Sequence, residues 1–166
     1  MELNIQRPRR NRKNETIRNL IQENWLSTND FIYPLFLIEG KNKKTEVASM
    51  PNIYRYSADL ILKEIEACVK LGINSFCLFP SINDKLKNKT ASEALNKNGL
   101  YLKTISLIKK YYPNVVLMTD VAMDPYSSDG HDGLVKNNEI LNDETLDILC
   151  KMALAQAYAG ADIIGP

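Results

Sequence analysis

Apolar residues along this chain gather in four short, nearly continuous runs: FIYPLFLI (31–38), INSFCLFP (73–80), VVLMTDVA (115–122) and ADIIGP (161–166). Runs of this length without polar alternation predict parallel strands covered on both faces. They recur about every forty residues, and the intervals between them carry a helical period instead. In SADLILKEIEACVKLG, Ile61, Ile65, Cys68 and Val69 line one side, Ser57 stands in the capping position and Gly72 ends the run. In GLYLKTISLIKKYYP, Leu102, Ile105, Ile108 and Tyr112 follow helical spacing and Pro113 stops it. In NDETLDILCKMALAQAYAG, Leu146, Leu149, Cys150, Ala153 and Ala157 form the predicted buried stripe, with Asn142 or Asp143 as cap and Gly160 as closure. Strand, helix, strand, helix, strand, helix, strand is the order of an α/β protein with a parallel sheet. Ahead of it, NETIRNLIQENW predicts a further helix with Ile17, Leu20 and Ile21 on one face, preceded by the basic stretch RPRRNRK.

Composition narrows the function classes without choosing one. The chain's 166 residues suffice for one domain with a sizeable core. A formal net charge of +1 gives no overall pull toward nucleic acid or membrane. The longest apolar stretch falls far short of the ~20 residues of a membrane span, and MELNIQRPRR has no apolar signal region, so a cytoplasmic location is expected. Cys68, Cys77 and Cys150 form no CxxC pair and read as small reduced core residues rather than zinc ligands. Three readings of RPRRNRK stay open at this point: a solvated tail, a nucleic-acid contact, or packing on a neighbouring subunit. The lysine-rich stretch SINDKLKNKTASEALNKN (81–98) is either a solvated loop or a functional loop over a site.

The densest candidate chemistry is TDVAMDPYSSDGHDG (119–133), with Asp120, Asp124, Asp129, Asp132 and the chain's only histidine, His131. In parallel α/β folds, sites form at the carboxyl ends of the strands. Asp120 lies inside an apolar strand end, where an acid needs a partner. Asp120, Asp124 and Asp132 suit two chemistries: binding a hard cation through oxygen, or holding protons or the amino group of a substrate. His131 can join either or simply orient the loop, and Gly130 and Gly133 are expected to let the backbone turn sharply. The residues by themselves indicate an active-site loop of undecided chemistry.

At this point the chain resembles the δ-aminolevulinic acid dehydratase family, also called porphobilinogen synthases. The loop DVAMDPYSSDGHDG is similar to the family's metal-site segment, and RPRRNR, IRNLIQEN, IYPLFLIEG, ASMPNIYRYS, GINSFCLFP, EALNKNGL, MTDVAMDPY, NDETLDIL and QAYAGADIIGP fit in order. The resemblance implies a TIM (β/α)8 barrel, with residues 1–29 as an N-terminal arm and helix contacting another subunit and residues 30–166 as the first half of the barrel. It implies a lyase that condenses two molecules of 5-aminolevulinate to porphobilinogen in tetrapyrrole and haem biosynthesis, and a homo-oligomer, usually an octamer. It favours the subunit-packing reading of RPRRNRK.

The same resemblance bears on the acids. Zinc-dependent members ligate zinc through three cysteines where this chain has Ala122, Asp124 and Asp132, so Zn2+ is not expected. The aspartate-type branch implied is often stimulated by Mg2+, bound mainly outside this stretch, with no organic cofactor. Asp120 matches a family active-site aspartate that contacts the substrate amino group; Asp120, Asp124 and Asp132 are the expected catalytic residues. No lysine here sits in a motif matching the family's imine-forming lysines, and Lys85, Lys87, Lys89 and Lys97 are expected to meet solvent or substrate carboxylate. The chain therefore reads as part of a longer enzyme, inactive by itself. Its first and last strands are expected to present unpaired edges that invite self-association. Two alternatives are a half-barrel acting only in assembly and another carbonyl lyase on the same fold.

Overall fold

Alternation along the strands decides which way each side chain of this protein faces. The computed structural model describes residues 9–166. Its elements are α1 (Glu15–Leu20), β1 (Tyr33–Ile38), β2 (Lys44–Glu46), β3 (Tyr54–Tyr56), α2 (Ala58–Lys70), β4 (Ser75–Ser81), α3 (Leu100–Tyr111), β5 (Val116–Asp120), β6 (Leu134–Lys136), β7 (Glu139–Leu141), α4 (Asn142–Ala159) and β8 (Ile163–Gly165). The main sheet has the order β2-β3-β1-β4-β5-β8. β1, β4, β5 and β8 run parallel and lie side by side in chain order. Right-handed crossovers between strands laid down in sequence place every connecting helix on the same face, as in a TIM barrel.

That geometry corrects the expectation that both strand faces are covered. Leu35, Leu37, Phe76, Leu78 and Leu117 are fully buried, in one core with Ile61 and Ile65 of α2, Leu102, Ile105 and Ile108 of α3, and Met152 of α4. Their strand neighbours Phe36, Cys77, Phe79, Met118 and Asp120 point the other way and are only half-buried. The strand sequences look continuous because both faces are apolar, yet only one is packed under helices.

Three further expectations change. The edge of β1 is not open: β3 adds to it in parallel, pairing Phe36 with Arg55 and Leu37 with Tyr56, and β2 covers β3 in antiparallel. Among the described residues the edges of the sheet are β2 and β8. Second, α4 is rotated relative to its predicted stripe. Thr145, Met152 and Gln156 are buried, whereas Cys150 and Ala157 are exposed and Leu146 is 58% exposed. Cys150 is thus not a core residue, although Cys68 is buried and Cys77 half-buried. Third, neither Asn142 nor Asp143 caps α4; Leu141 occupies that position and the Thr145 hydroxyl donates to its carbonyl. In α2, Ser57 holds the capping position, but its hydroxyl accepts from the Lys43 N–H instead.

At the amino end, Asn14 caps the short α1 by accepting from the Ile17 N–H at 2.9 Å. Arg9, Arg10, Arg12 and Lys13 are exposed, and Arg7 of the basic stretch lies outside the described residues. Leu20, Trp25 and Leu26 are more than two-thirds exposed.

One polar clasp closes the last crossover. The Lys109 ammonium on α3 donates to the carbonyls of Pro113 and Val115 and to Asp162, the latter at 2.8 Å, while Asp162 accepts from the Leu117 N–H of β5. Burial opposes ionisation of Asp162, but the hydrogen bonds from Lys109 and Leu117 and the Lys109 charge outweigh it and hold the carboxyl below its ordinary value. A depressed carboxyl stabilises the fold above its unfolded value of 3.8 and loses that contribution as pH falls through the folded value. Lys109→Met is expected to cost roughly 1–2 kcal/mol, since the pair is partly exposed. The variant's melting temperature should fall less steeply on acidification than that of the unmodified chain. Parallel acid limbs would show that the clasp does not couple to folding.

Candidate active site

The carboxyl ends of β1, β4 and β5 open on the face the helices leave free. A cavity of about 310 Å³ lies there, lined by Phe36, Phe79, Pro80 and Ser81 from the strands, Arg55 from β3, Ile82 and Lys87 from the 81–98 loop, and Asp120, Asp124 and Pro125. The rings of Phe36 and Phe79 stack with centroids 5.6 Å apart and form an apolar floor. Asp120 and Asp124 form an acidic wall, and Arg55 and Lys87 supply positive charge. Of the 81–98 loop, Ile82 and Lys87 line this cavity. Lys85, Lys89 and Lys97 do not line this cavity.

Asp120 is placed by its backbone. Its carbonyl accepts from the Gln156 amide of α4 at 2.9 Å, and the next N–H, of Val121, donates to the Gly165 carbonyl of β8 at 2.9 Å. Two elements thus grip the strand end while the side chain stays free to meet a ligand. The acid loop is gripped too. The Asp124 N–H donates to the Asp132 carboxylate at 3.2 Å, so two of the expected residues sit together. Asn88 ties the two loops: its N–H donates to the Tyr126 carbonyl at 3.1 Å and its carbonyl accepts from Ser128 at 3.2 Å. Tyr126 itself is buried, edge-on to Tyr101 at 6.4 Å.

The electrostatics follow from this crowding. Burial raises the Asp120 carboxyl above its ordinary value, and the charge of Asp132 raises it further. Burial likewise raises Asp124, followed by the charge of Asp132, the hydrogen bond to it and the charge of Asp120. The Cys77 thiol, on the neighbouring strand, is pushed up by burial and then by Asp120. An acid wall whose members resist ionisation has a place for a cation or a proton.

His131 is exposed and makes no side-chain hydrogen bond among the described residues, which leaves it off the acidic wall. Gly130 adopts a left-handed φ of +69° as expected of a sharp turn. Gly133 does not. Its need is close approach, because an added Cβ would run into the Ile140 side chain of the β6–β7 hairpin. That hairpin, turned at Asn137 and Asn138 with φ of 52° and 63°, has a signal in the Asn-Asn pair. Arg55 was not singled out in the sequence; the alternation Tyr54-Arg55-Tyr56 is the signal that finds it.

Thiolate ligation of zinc through the acid loop does not fit, since Asp124 and Asp132 offer oxygen rather than sulfur. Ala122 offers no donor atom, and among the described residues no three His, Cys, Asp or Glu side chains converge closely enough to hold a metal ion.

A carboxyl raised in the fold weakens stability as pH climbs from its ordinary value of 3.8 through the raised one. Asp120→Asn removes that penalty. The variant is expected to melt above the unmodified chain at about pH 7, with the gap closing as pH falls below about 4. A lower melting temperature at neutral pH would show instead that the ionised Asp120 is held by a stabilising partner.

The comparisons with known proteins agree with this geometry. The profile of the family described as delta-aminolevulinic acid dehydratase matches residues 5–166. The delta-aminolevulinic acid dehydratase of Bradyrhizobium diazoefficiens is 48% identical over 160 residues, which is 96% of this chain and 45% of that protein. The chloroplastic enzyme of Glycine max is 49% identical over 162 residues, covering 96% of this chain and 39% of the relative. A crystal structure of delta-aminolevulinic acid dehydratase (porphobilinogen synthase) from Toxoplasma gondii ME49, in complex with the reaction product porphobilinogen, superposes with a TM-score of 0.90 at 44% identity. It covers 98% of this chain and 47% of that one, so the chain spans less than half the length of these relatives. With the profile matched along nearly all of its length, this chain belongs to the delta-aminolevulinic acid dehydratase family.

Proposed function

We propose that this chain forms the Asp120 half of a site that condenses two molecules of 5-aminolevulinate to porphobilinogen with loss of two waters. The observation that carries the reading is the cavity at the strand ends, where an acidic wall faces positive charge across an aromatic floor. 5-Aminolevulinate has an ammonium at one end and a carboxylate at the other. Asp120 receives the ammonium, and its raised carboxyl value lets it take and return that proton nearer neutrality. Asp124 and Asp132, joined through the Asp124 N–H, stand in the same acid loop. The Phe36–Phe79 floor keeps water from the methylene chain between the two ends.

The acids at the 124 and 132 positions, with Ala122 beside them, support a zinc-independent reaction; the stimulatory role of Mg2+ and its site belong to other parts of the protein. The exposed Leu20, Trp25 and Leu26 of the arm support packing on a second copy, in a homo-oligomer that we take to be an octamer. Three cysteines free of disulfides suit a reducing compartment such as the cytoplasm.

The test is porphobilinogen formation, read as the p-dimethylaminobenzaldehyde colour. In a polypeptide joining this chain to the second half of the Bradyrhizobium relative, turnover is expected and should survive o-phenanthroline. Asp120→Asn should lower kcat by about a hundredfold or more while leaving assembly unchanged. The 166 residues alone should form none, since no lysine matches an imine-forming motif. Turnover that o-phenanthroline abolishes and zinc restores would overturn the metal reading, and an Asp120→Asn variant of normal kcat would overturn the role of Asp120.

A further inference from the structure

We propose that Gln156 of α4 is a positioning residue for the reaction: its side-chain amide takes the place of a missing rung of the sheet and so fixes where the Asp120 carboxyl stands. This rests on the reading of Asp120 above and adds the group that holds that acid in place.

The first ground is the register. β4 and β5 pair in parallel from Ser75 and Val116 to Leu78 and Thr119. The Val116 N–H donates to the Asn74 carbonyl at 2.9 Å. Along a strand the backbone groups that face one neighbour recur at every second residue, so those of Val116, Met118 and Asp120 face β4. The Val121 N–H goes the other way, to the Gly165 carbonyl of β8. Continued by one step, the ladder would bring the N–H of residue 80 to the Asp120 carbonyl. Residue 80 is a proline and has no N–H to give. The sheet thus leaves this acceptor without a strand donor just where the site begins.

The second ground is what fills the gap. The Gln156 amide donates to the Asp120 carbonyl at 2.9 Å, from 36 residues further along the chain. At the same step of β4 the Leu78 carbonyl accepts from the Tyr101 hydroxyl of α3 at 2.7 Å. Side chains from two helices therefore finish the ladder that the strands break off. The carbonyl and the side chain of Asp120 branch from one Cα. A carbonyl held toward Gln156 keeps the carboxyl on the open face.

The third ground is the cost of the amide. Gln156 is 1% exposed, and its Oε1 is buried with no hydrogen-bond partner among the described residues. An amide satisfied at one end only is a poor core residue. Met152, one turn earlier on the same helix face, is fully buried, so this face accepts an unbranched apolar chain. What glutamine adds at 156 is the donor.

The experiment asks whether a donor from the strand can replace the donor from the helix. Turnover is measured in the polypeptide that joins this chain to the second half of the Bradyrhizobium relative. Gln156→Met keeps the length and removes the donor. Its kcat is expected to fall about tenfold or more, as small displacements of a catalytic group do. Pro80→Ala restores an N–H at the missing rung. In a Pro80→Ala background, Gln156→Met should cost only about twofold, a coupling that a packing defect does not produce. Gln156→Asn, whose amide stops one carbon short, stands in if Gln156→Met does not fold, with the same loss and the same rescue expected. Equal losses with and without Pro80→Ala would overturn the assignment. So would Gln156 variants that melt lower but keep a normal kcat. Either result, with Asp120→Asn inactive, leaves the site's reading intact. An Asp120→Asn variant of normal kcat, or no turnover in the joined polypeptide, would overturn that reading and this assignment with it.

Discussion

Burial of the leucine-rich face of β1, β4 and β5 beneath three helices is the constraint from which the rest follows. Parallel neighbours cannot be joined by a tight turn, so each strand must be followed by a crossover, and the crossovers here are helices. With the strands in chain order and the crossovers right-handed, α2, α3 and α4 share one face. Leu35, Leu37, Phe76, Leu78 and Leu117 fill that face. A strand has only two faces, so Phe36, Phe79, Met118 and Asp120 are driven to the other one. The site is assembled there by residues whose position is set through the packing of their neighbours.

The open face is then tuned by polar contacts at its rim. Gln156 is buried on α4 not for its own packing but because its amide holds the Asp120 carbonyl. That one hydrogen bond couples the rotation of α4 to the placement of the acid. The Asn88 contacts to Tyr126 and Ser128 bind the lysine-rich loop to the acid loop. The acids themselves are held where burial and mutual repulsion oppose their ionisation. Such crowding weakens the fold and is retained where a ligand's positive charge relieves it.

Much of this was legible along the chain because it depends on local period. The four parallel strands and α2 and α3 appear where their apolar spacing places them, within a residue or two at each end. Asp120 at a strand end was legible as well, since an acid inside an apolar run is costly wherever the run folds. The β2–β3 hairpin was not. Its strands are short, β2 is exposed along its whole length, and its pairing is with β1 across the intervening loop. No period announces a strand of that kind. The same holds for α4, where apolar residues ring the helix and the period does not single out a face; Leu154 and Tyr158 are exposed and Gln156 is buried.

The sequence by itself determined the α/β class, the parallel strands, the helical crossovers, the acid-rich loop and, through long motifs, the family. All of these are short-range: a residue's type and its spacing to near neighbours suffice. Tertiary structure alone decided which strand face became the cavity, which side of α4 was buried, and that Arg55 came to stand across the Phe36–Phe79 floor from Asp120. Arg55 and Asp120 are 65 residues apart in the chain. Their relation is created by the order of strands in the sheet, and no local pattern in the sequence encodes that order.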